Sequence, residues 1–335
     1  MVLTSVGSGH PWERPLLSTR ALGFLSGLPE ILDIFRRSDL IHSLDGWPYG
    51  VIAALFAFGL GKKLIITAIG TGAIQPLYQR RGWMLSWAYH RADQLVAIST
   101  NTRSEILKKV PYLKIEVINH AVDADEFLGD PDAELSAEER AAIARLKPYI
   151  LSVGGWKRRK GFQYSFPAFA EIKKRFPNVN YVVCGIGPKP QLTDPLGITG
   201  SVFYFKGVFW PFLRSLYRHA ELFMLLPVDD DKDIEGFGFA FLEAAAAGLA
   251  VVGTSESSAQ DAVLDGQNGF LVPPRDSLKA AEAAIRILSD SELMRSFRAS
   301  SLEFAKHMSW SRVINRYRAI YCELLGLTKP TSGGV

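Results

Sequence analysis

The chain has 335 residues, 48% hydrophobic and 21% charged, with 38 Lys and Arg against 34 Asp and Glu and a net charge of +4. That length exceeds one ordinary core and fits a globular α/β protein of two domains, while the small, dispersed positive excess argues against a nucleic-acid partner. Two distant cysteines, Cys184 and Cys322, make neither a disulfide framework nor a zinc site and favour a cytoplasmic location. The longest apolar run, Val51 to Leu60, is well short of the ~20 residues that span a bilayer, and the start lacks a signal-peptide layout.

In chain order, Val2 to Ser5 reads as a strand and Gly7 to Pro15 as a turn-rich segment. Leu16 to Phe35 carries a helical pattern interrupted by Gly27 and Pro29, and Asp39 to Leu44 is a second short strand, so the opening alternates as βαβ. Val51 to Leu60 reads as a buried helix, Lys63 to Ala68 as a parallel strand, Ile69 to Gly72 as a Gly-rich turn, and Leu95 to Ser99 as a further strand. Val117 and Ile118 then lead into Asn119 to Phe127. Between these, Leu77 to Arg91 interleaves Arg80, Arg81 and Arg91 with Trp83, Trp87 and Tyr89. Two readings stay open for it: an interfacial helix in peripheral contact with anionic headgroups at the inner membrane face, or a helix with aromatics inward and arginines in water.

Gly129 to Lys147 is acidic, then Ala-rich and helical, with Ser136 and Glu139 spaced as a capping box. It reads as a connector (129–147) between a first domain (1–128) and a second (148–306), with a last helix and tail over 307–335. Past it the alternation restarts. Strands are expected at Tyr149 to Val153, Asn180 to Cys184, Ser201 to Phe205 and Leu222 to Leu226, and helices at Gln163 to Arg175, Leu213 to His219 and Leu278 to Leu288. This is a second doubly wound parallel sheet, whose ligands bind beyond the carboxyl ends of its strands. There the first turn reads W-K-R-R-K-G, Trp156 to Gly161, a positive cluster suited to a diphosphate. Glu235 to Gly253 then reads E-G-F-G-F-A-F-L-E-A-A-A-A-G-L-A-V-V-G. Gly236 and Gly238 permit a tight turn opening onto an Ala-rich helix, whose N-terminus favours anions. Glu243 is the one ionisable residue between Gly236 and Gly253; a lone carboxylate in such apolar company needs a partner, and neutral hydroxyls would serve.

The Glu235 to Gly253 stretch resembles the E-x7-E signature of retaining GT-B glycosyltransferases, the family that includes bacterial lipopolysaccharide, exopolysaccharide and mannosyl transferases of cell-envelope polysaccharide biosynthesis. Ser255 to Pro274 is similar to the family's continuation. Arg91 to Ser99 (R-A-D-x-h-h-A-h-S, h hydrophobic), Asn119 to Phe127, a strand holding His42 and the helices from Met308 resemble its other segments. The resemblance implies two Rossmann-like domains facing a cleft and transfer of a sugar from a nucleoside diphosphate sugar, without metal or cofactor, to a glycan, lipid or small-molecule acceptor. It implies Lys160 at the diphosphate with Glu235 at the donor sugar, Glu243 on the ribose hydroxyls, and the amides about Gly236, Phe237, Gly238 and Phe239 on phosphate and sugar. Gly161, Lys157, Arg158, Gly207 and Val208 complete the expected donor site.

Three departures stand out. Ile69 occupies the place of a donor-contacting His, Gly155 that of an Arg for which Lys157, Arg158 or Arg159 would substitute, and the family's opening strand, with the helix and strand after it, has no counterpart. A first domain lacking those elements would expose apolar surface and a strand edge, inviting self-association and cleavage between Gly129 and Ala142. Two rivals follow: a catalytically impaired nucleotide-sugar-binding subunit, and a NAD-dependent oxidoreductase, against which the Gly70/Gly72 and Gly185/Gly187 pairs each lack the third Gly of the dinucleotide fingerprint.

Overall fold

The computed structural model describes residues 1–4, 8–17, 21–187, 197–229 and 235–328, with backbone alone for 21–25. The tail lies, from residue 329 on, outside the described residues, as do Ser5, Gly7 and residues 18–20 of the opening elements.

The N-terminal strand does not join the first large sheet. β1 (Val2–Leu3) pairs in parallel with β2 (Glu13–Arg14) as a separate ribbon. α1 (Ala21–Arg37) runs through Gly27 and Pro29 without ending there. The first sheet then builds from β3 (Leu40–Ser43), α2 (Tyr49–Leu60), β4 (Lys63–Ala68), α3 (Gly70–Ile74), α4 (Gly82–Arg91), β5 (Gln94–Ala97), α5 (Thr100–Lys109) and β6 (Ile115–Val117). Its four strands are all parallel, in the order β3-β4-β5-β6. β4 is buried at every residue after Lys63, as a strand covered on both faces requires, and its β-branched Ile65, Ile66 and Thr67 suit the pleat. The Ile69–Gly72 segment is not a plain turn: α3 starts at Gly70, whose φ of +53° glycine tolerates.

The stretch expected as a connector holds α6 (Ala137–Leu146), whose Ile143 and Leu146 pack into the core of the second sheet, and its capping box forms: Ser136 Oγ accepts from the Glu139 amide at 3.2 Å while Glu139 Oε2 accepts from the Ser136 amide at 2.8 Å. The second sheet comprises β7 (Tyr149–Val153), α7 (Phe162–Arg175), β8 (Asn180–Gly185), β9 (Val202–Lys206), α8 (Trp210–His219), β10 (Leu222–Met224), α9 (Phe239–Ala246), β11 (Val251–Thr254), β12 (Gly269–Val272), α10 (Ser277–Ser289) and α11 (Ser291–His307). Six parallel strands lie in the order β12-β11-β10-β7-β8-β9, so the winding reverses between β7 and β10, the place where such sheets open a crevice.

α12 (Trp310–Leu325) returns to the first sheet. Its Ile320 packs with Ile65, Val96 and Ile118; Tyr321 Oη lies 2.7 Å from His42 Nδ1, Tyr317 Oη 3.0 Å from Thr67 Oγ1, and Arg316 donates to Glu116 at 2.7 Å. The domains also meet directly. Ser99 and Thr102 hydroxyls donate to the Gly236 carbonyl at 2.7 and 3.1 Å, and the Thr100 amide and hydroxyl donate to Asp261 at 2.9 and 2.7 Å at the positive end of α5. No helix among the described residues is long and apolar enough to cross a membrane.

Burial pulls the His42 imidazole down from 6.5 to about 4. Between these two values the unfolded chain binds the more protons, so stability present above about 6.5 is lost as pH falls toward 4, by at most about 3 kcal/mol. Thermal melts across that window should therefore fall more steeply for the wild type than for His42→Asn. Parallel profiles would show that His42 carries no such linkage.

Candidate functional site

The reversal between β7 and β10 brings two loops together, and glycine makes the approach possible. The turn after β7 ends at Gly161, where φ is +72° and a Cβ would lie 1.6 Å from the Leu226 carbonyl oxygen. At Gly185, closing β8, a Cβ would lie 2.0 Å from the Gly154 oxygen. With no side chain at either point, the basic turn comes close to the carboxyl ends of the central strands, and the Val228 amide donates to the Arg159 carbonyl at 2.8 Å.

That turn is a short 3-10 helix over Arg158–Lys160, and it sorts four basic residues into two kinds. Lys157 and Arg158 are exposed, at the rim. Arg159 and Lys160 turn inward and close on Glu235: Arg159 Nε donates to Oε2 and Lys160 Nζ to Oε1, both at 2.9 Å. The three side chains are 15%, 13% and 12% exposed, so the pairing is screened little by water. Arg159 is therefore the member of the basic run that stands beside Lys160. At Gly155, by contrast, any Cβ would come 2.9 Å from the Ile186 oxygen; the backbone approach there demands glycine.

Glu243 lies a little over a turn into α9, half-buried. Its partner is neutral: the Tyr217 hydroxyl, from fully buried Tyr217 on α8, donates to Oε2 at 2.6 Å. Burial raises the carboxyl above its usual range, while the Tyr217 hydrogen bond and the nearby Lys160 charge oppose that rise. Tyr217 is itself held well above the ordinary phenol range by burial and by Glu243, so it stays a donor at neutral pH. No side chain caps α9 at Gly238. Phe237 is buried, whereas Phe239 is 45% exposed and stacks on His120 from the Asn119–Phe127 segment, ring centroids 4.8 Å apart. A cavity of about 220 Å³ opens there, bordered by Asp123, Glu126, Trp210, Phe239, Glu243 and Trp310.

Gly207, with φ +59°, donates its amide to the Gly185 carbonyl at 3.2 Å, which sets it and Val208 just past the carboxyl end of β9. Gly236 meets the first domain so closely that a Cβ would lie 2.3 Å from Gly70 Cα. Ile69, beside it, packs against the apolar core of the second domain. The structure thus gathers Glu235, Lys160 and Gly161 at one point, with Glu243 close enough for Lys160 to act on its carboxyl and Gly236 to Phe239 leading into α9. Lys157 and Arg158 stand exposed at the rim. Tyr217 and His120 escaped the sequence reading, since neither spacing nor charge ties them to Glu243 or Phe239. In chemical terms two inward cations stand near the start of α9, which no side chain caps, with one carboxylate in an ion pair and one held by a hydroxyl.

Comparison with known proteins names the lineage. Residues 136–303 match the profile of the family described as Glycosyl transferases group 1, and residues 4–126 that of Glycosyltransferase Family 4. The chain belongs to the group 1 glycosyltransferases. This glycosyltransferase is 28% identical over 285 residues to the GDP-mannose-dependent alpha-(1-6)-phosphatidylinositol monomannoside mannosyltransferase of Mycolicibacterium smegmatis, covering 78% of this chain and 72% of the relative. It is 24% identical over 341 residues to the alpha-maltose-1-phosphate synthase of the same organism, covering 93% and 86%. Among solved structures, Anabaena HepE in complex with UDP is similar with a TM-score of 0.76 at 17% identity, over 91% of this chain and 84% of that one. Sucrose-phosphate synthase from Thermosynechococcus elongatus follows with a TM-score of 0.68 at 19% identity, over 93% and 82%. The fold of this glycosyltransferase is GT-B, two Rossmann-like domains facing a cleft.

Removing the Glu235 carboxylate takes away the acceptor that Arg159 Nε and Lys160 Nζ share. Glu235→Ala is expected to cost on the order of 1–3 kcal/mol of stability, read by thermal unfolding, and inorganic pyrophosphate should raise the melting temperature of the variant more than that of the wild type. Equal shifts would mean that Arg159 and Lys160 do not face a common anion space.

Proposed function

We propose that this glycosyltransferase moves a hexosyl unit from a nucleoside diphosphate sugar to a hydroxyl of a glycan, lipid or small-molecule acceptor, with retention of configuration and without a metal. The observation that carries the reading is the closure of Arg159 and Lys160 on Glu235 at the strand-order reversal, beside the uncapped start of α9. An arriving diphosphate takes over the two cations, which hold its charge while it leaves; with the α9 amides they supply the neutralisation that other enzymes draw from a metal ion. Glu235, relieved of its pairs, accepts from the donor sugar's hydroxyls. Glu243, oriented by Tyr217, accepts from the ribose. Gly161 holds the cationic turn in place, the amides about Gly236, Phe237, Gly238 and Phe239 cradle phosphate and sugar, Gly207 and Val208 border the base, and Lys157 and Arg158 add attraction at the rim.

Retention is supported by the Glu235 and Glu243 pair, which resembles that of retaining members. GDP-mannose and UDP-glucose are the donors to try first, since the name of one relative carries the first and Anabaena HepE has been crystallised with the second. The named relatives are transferases and synthases, so the reading as an impaired donor-binding subunit gains nothing from them.

Transfer or donor hydrolysis tests the assignment. Charge-assisted bonds of this kind contribute about 1.5–3 kcal/mol, so Arg159→Ala and Lys160→Ala should each lower kcat/KM by roughly 10- to 100-fold. Exposed Lys157→Ala and Arg158→Ala should cost no more than about fivefold. Glu243→Ala should act chiefly on KM, and chelation should leave the rate unchanged. Unaltered rates in both Lys160→Ala and Glu243→Ala would sink the assignment, and loss of activity on chelation, restored by a divalent ion, would sink its metal-free part.

A further inference from the structure

The face formed by α2 and α4 does not behave as an ordinary solvent face. α2, Y-G-V-I-A-A-L-F-A-F-G-L, is apolar on every side and carries no charge, the pattern of a helix enclosed by protein. The sequence led to the same expectation, a buried helix, and the structure corrects it. Val51, Ala53, Ala54 and Ala57 are buried, but Leu55 and Phe58, three positions apart on the outer side, are 54% and 62% exposed. α4 packs beside it and presents Trp83, Trp87 and Arg91 at four-residue spacing, one stripe along its surface. Trp83 is 70% exposed; Trp87 meets Phe58 edge-on at 6.5 Å, and the Arg91 guanidinium sits 4.5 Å above the Phe58 ring. Arg80 and Arg81, both exposed, stand at the start of α4.

The α2 and α4 segments themselves carry charge of one sign, while α1, packed on another flank of α2, brings Glu30 and Asp33 together with Arg36 and Arg37. From Gly46 to Ala92 the chain contains Lys62, Lys63, Arg80, Arg81 and Arg91 and not one Asp or Glu. We propose that this face docks on an anionic lipid bilayer, Leu55, Phe58 and Trp83 entering the headgroup layer and Arg80, Arg81 and Arg91 meeting lipid phosphates. Aromatic rings beside arginines are suited to that interface, where the apolar body leaves water while the charged head stays at the phosphate level. A second copy docked on the same face would bring arginine against arginine with no carboxylate between α2 and α4 to meet them, so the charge favours lipid over self-pairing. The inference is independent of the donor-site reading, which uses other residues on the other domain.

Sedimentation with vesicles tests it, using phosphatidylcholine alone and phosphatidylcholine mixed with phosphatidylglycerol. The wild type should bind the anionic vesicles, with a blue shift of tryptophan emission, bind the neutral ones far more weakly, and dissociate as salt is raised. Each arginine near an anionic surface contributes about a fivefold factor, so Arg80→Gln with Arg81→Gln should lower partitioning roughly 25-fold without touching the fold. Phe58→Ser with Trp83→Ser should abolish the emission shift, with near-ultraviolet circular dichroism as the check on folding. Equal binding to both vesicle types, or binding indifferent to both double substitutions, overturns the proposal. So does a wild-type dimer that Phe58→Ser with Trp83→Ser converts to monomer while no vesicle is bound, since the face would then belong to a second copy.

Discussion

Two cations closing on one carboxylate, nearly out of water, set the terms for the rest of the second domain. A charge withdrawn from solvent must find a partner, and Arg159, Lys160 and Glu235 find one another only where the sheet reverses its winding. For that to happen, the turn after β7 and the chain after β10 must approach within backbone contact. Gly161 allows it, because a methyl group there would overlap the Leu226 carbonyl oxygen, and Gly185 does the same between the ends of β8 and β7, against the Gly154 oxygen. Electrostatics therefore selects the residues, but sterics at two glycines decides whether they can meet.

The same kind of constraint joins the domains. Gly70 and Gly236 touch backbone to backbone, and the Gly236 carbonyl accepts from two hydroxyls at the start of α5. α12 ties the far side, where a His42, Thr67, Tyr317 and Tyr321 network satisfies polar groups over the apolar contact of Ile320. The turn that carries Glu235 into α9 is thus also a point of contact with the first domain.

The departures from the family pattern make physical sense within this arrangement. Gly155 cannot become arginine because the Ile186 carbonyl stands too close, and Arg159, four residues on, supplies an inward charge from the 3-10 turn. Ile69, in place of a polar residue, fills apolar volume against the second domain. Both are local exchanges that keep the backbone contacts intact.

Much of this was legible in the chain itself. The alternation of β-branched runs with helical periods identified most strands and helices, though not α3, α5, β12 or α11, because periodicity of two or 3.6 residues depends on local backbone geometry alone. Ser136 and Glu139 announced their capping box for the same reason: both partners lie within one turn. Glu235, Glu243 and Lys160 stood out by spacing and company. The tertiary structure alone decided which of four adjacent basic residues faces inward, that a tyrosine 26 positions away would hold Glu243, that the apolar helix α2 would keep Leu55 and Phe58 in the open, and that β1 would leave the main sheet for β2. Each of these depends on what lies opposite a side chain in space, and contacts between residues far apart in sequence leave no period or spacing in the chain from which to read them.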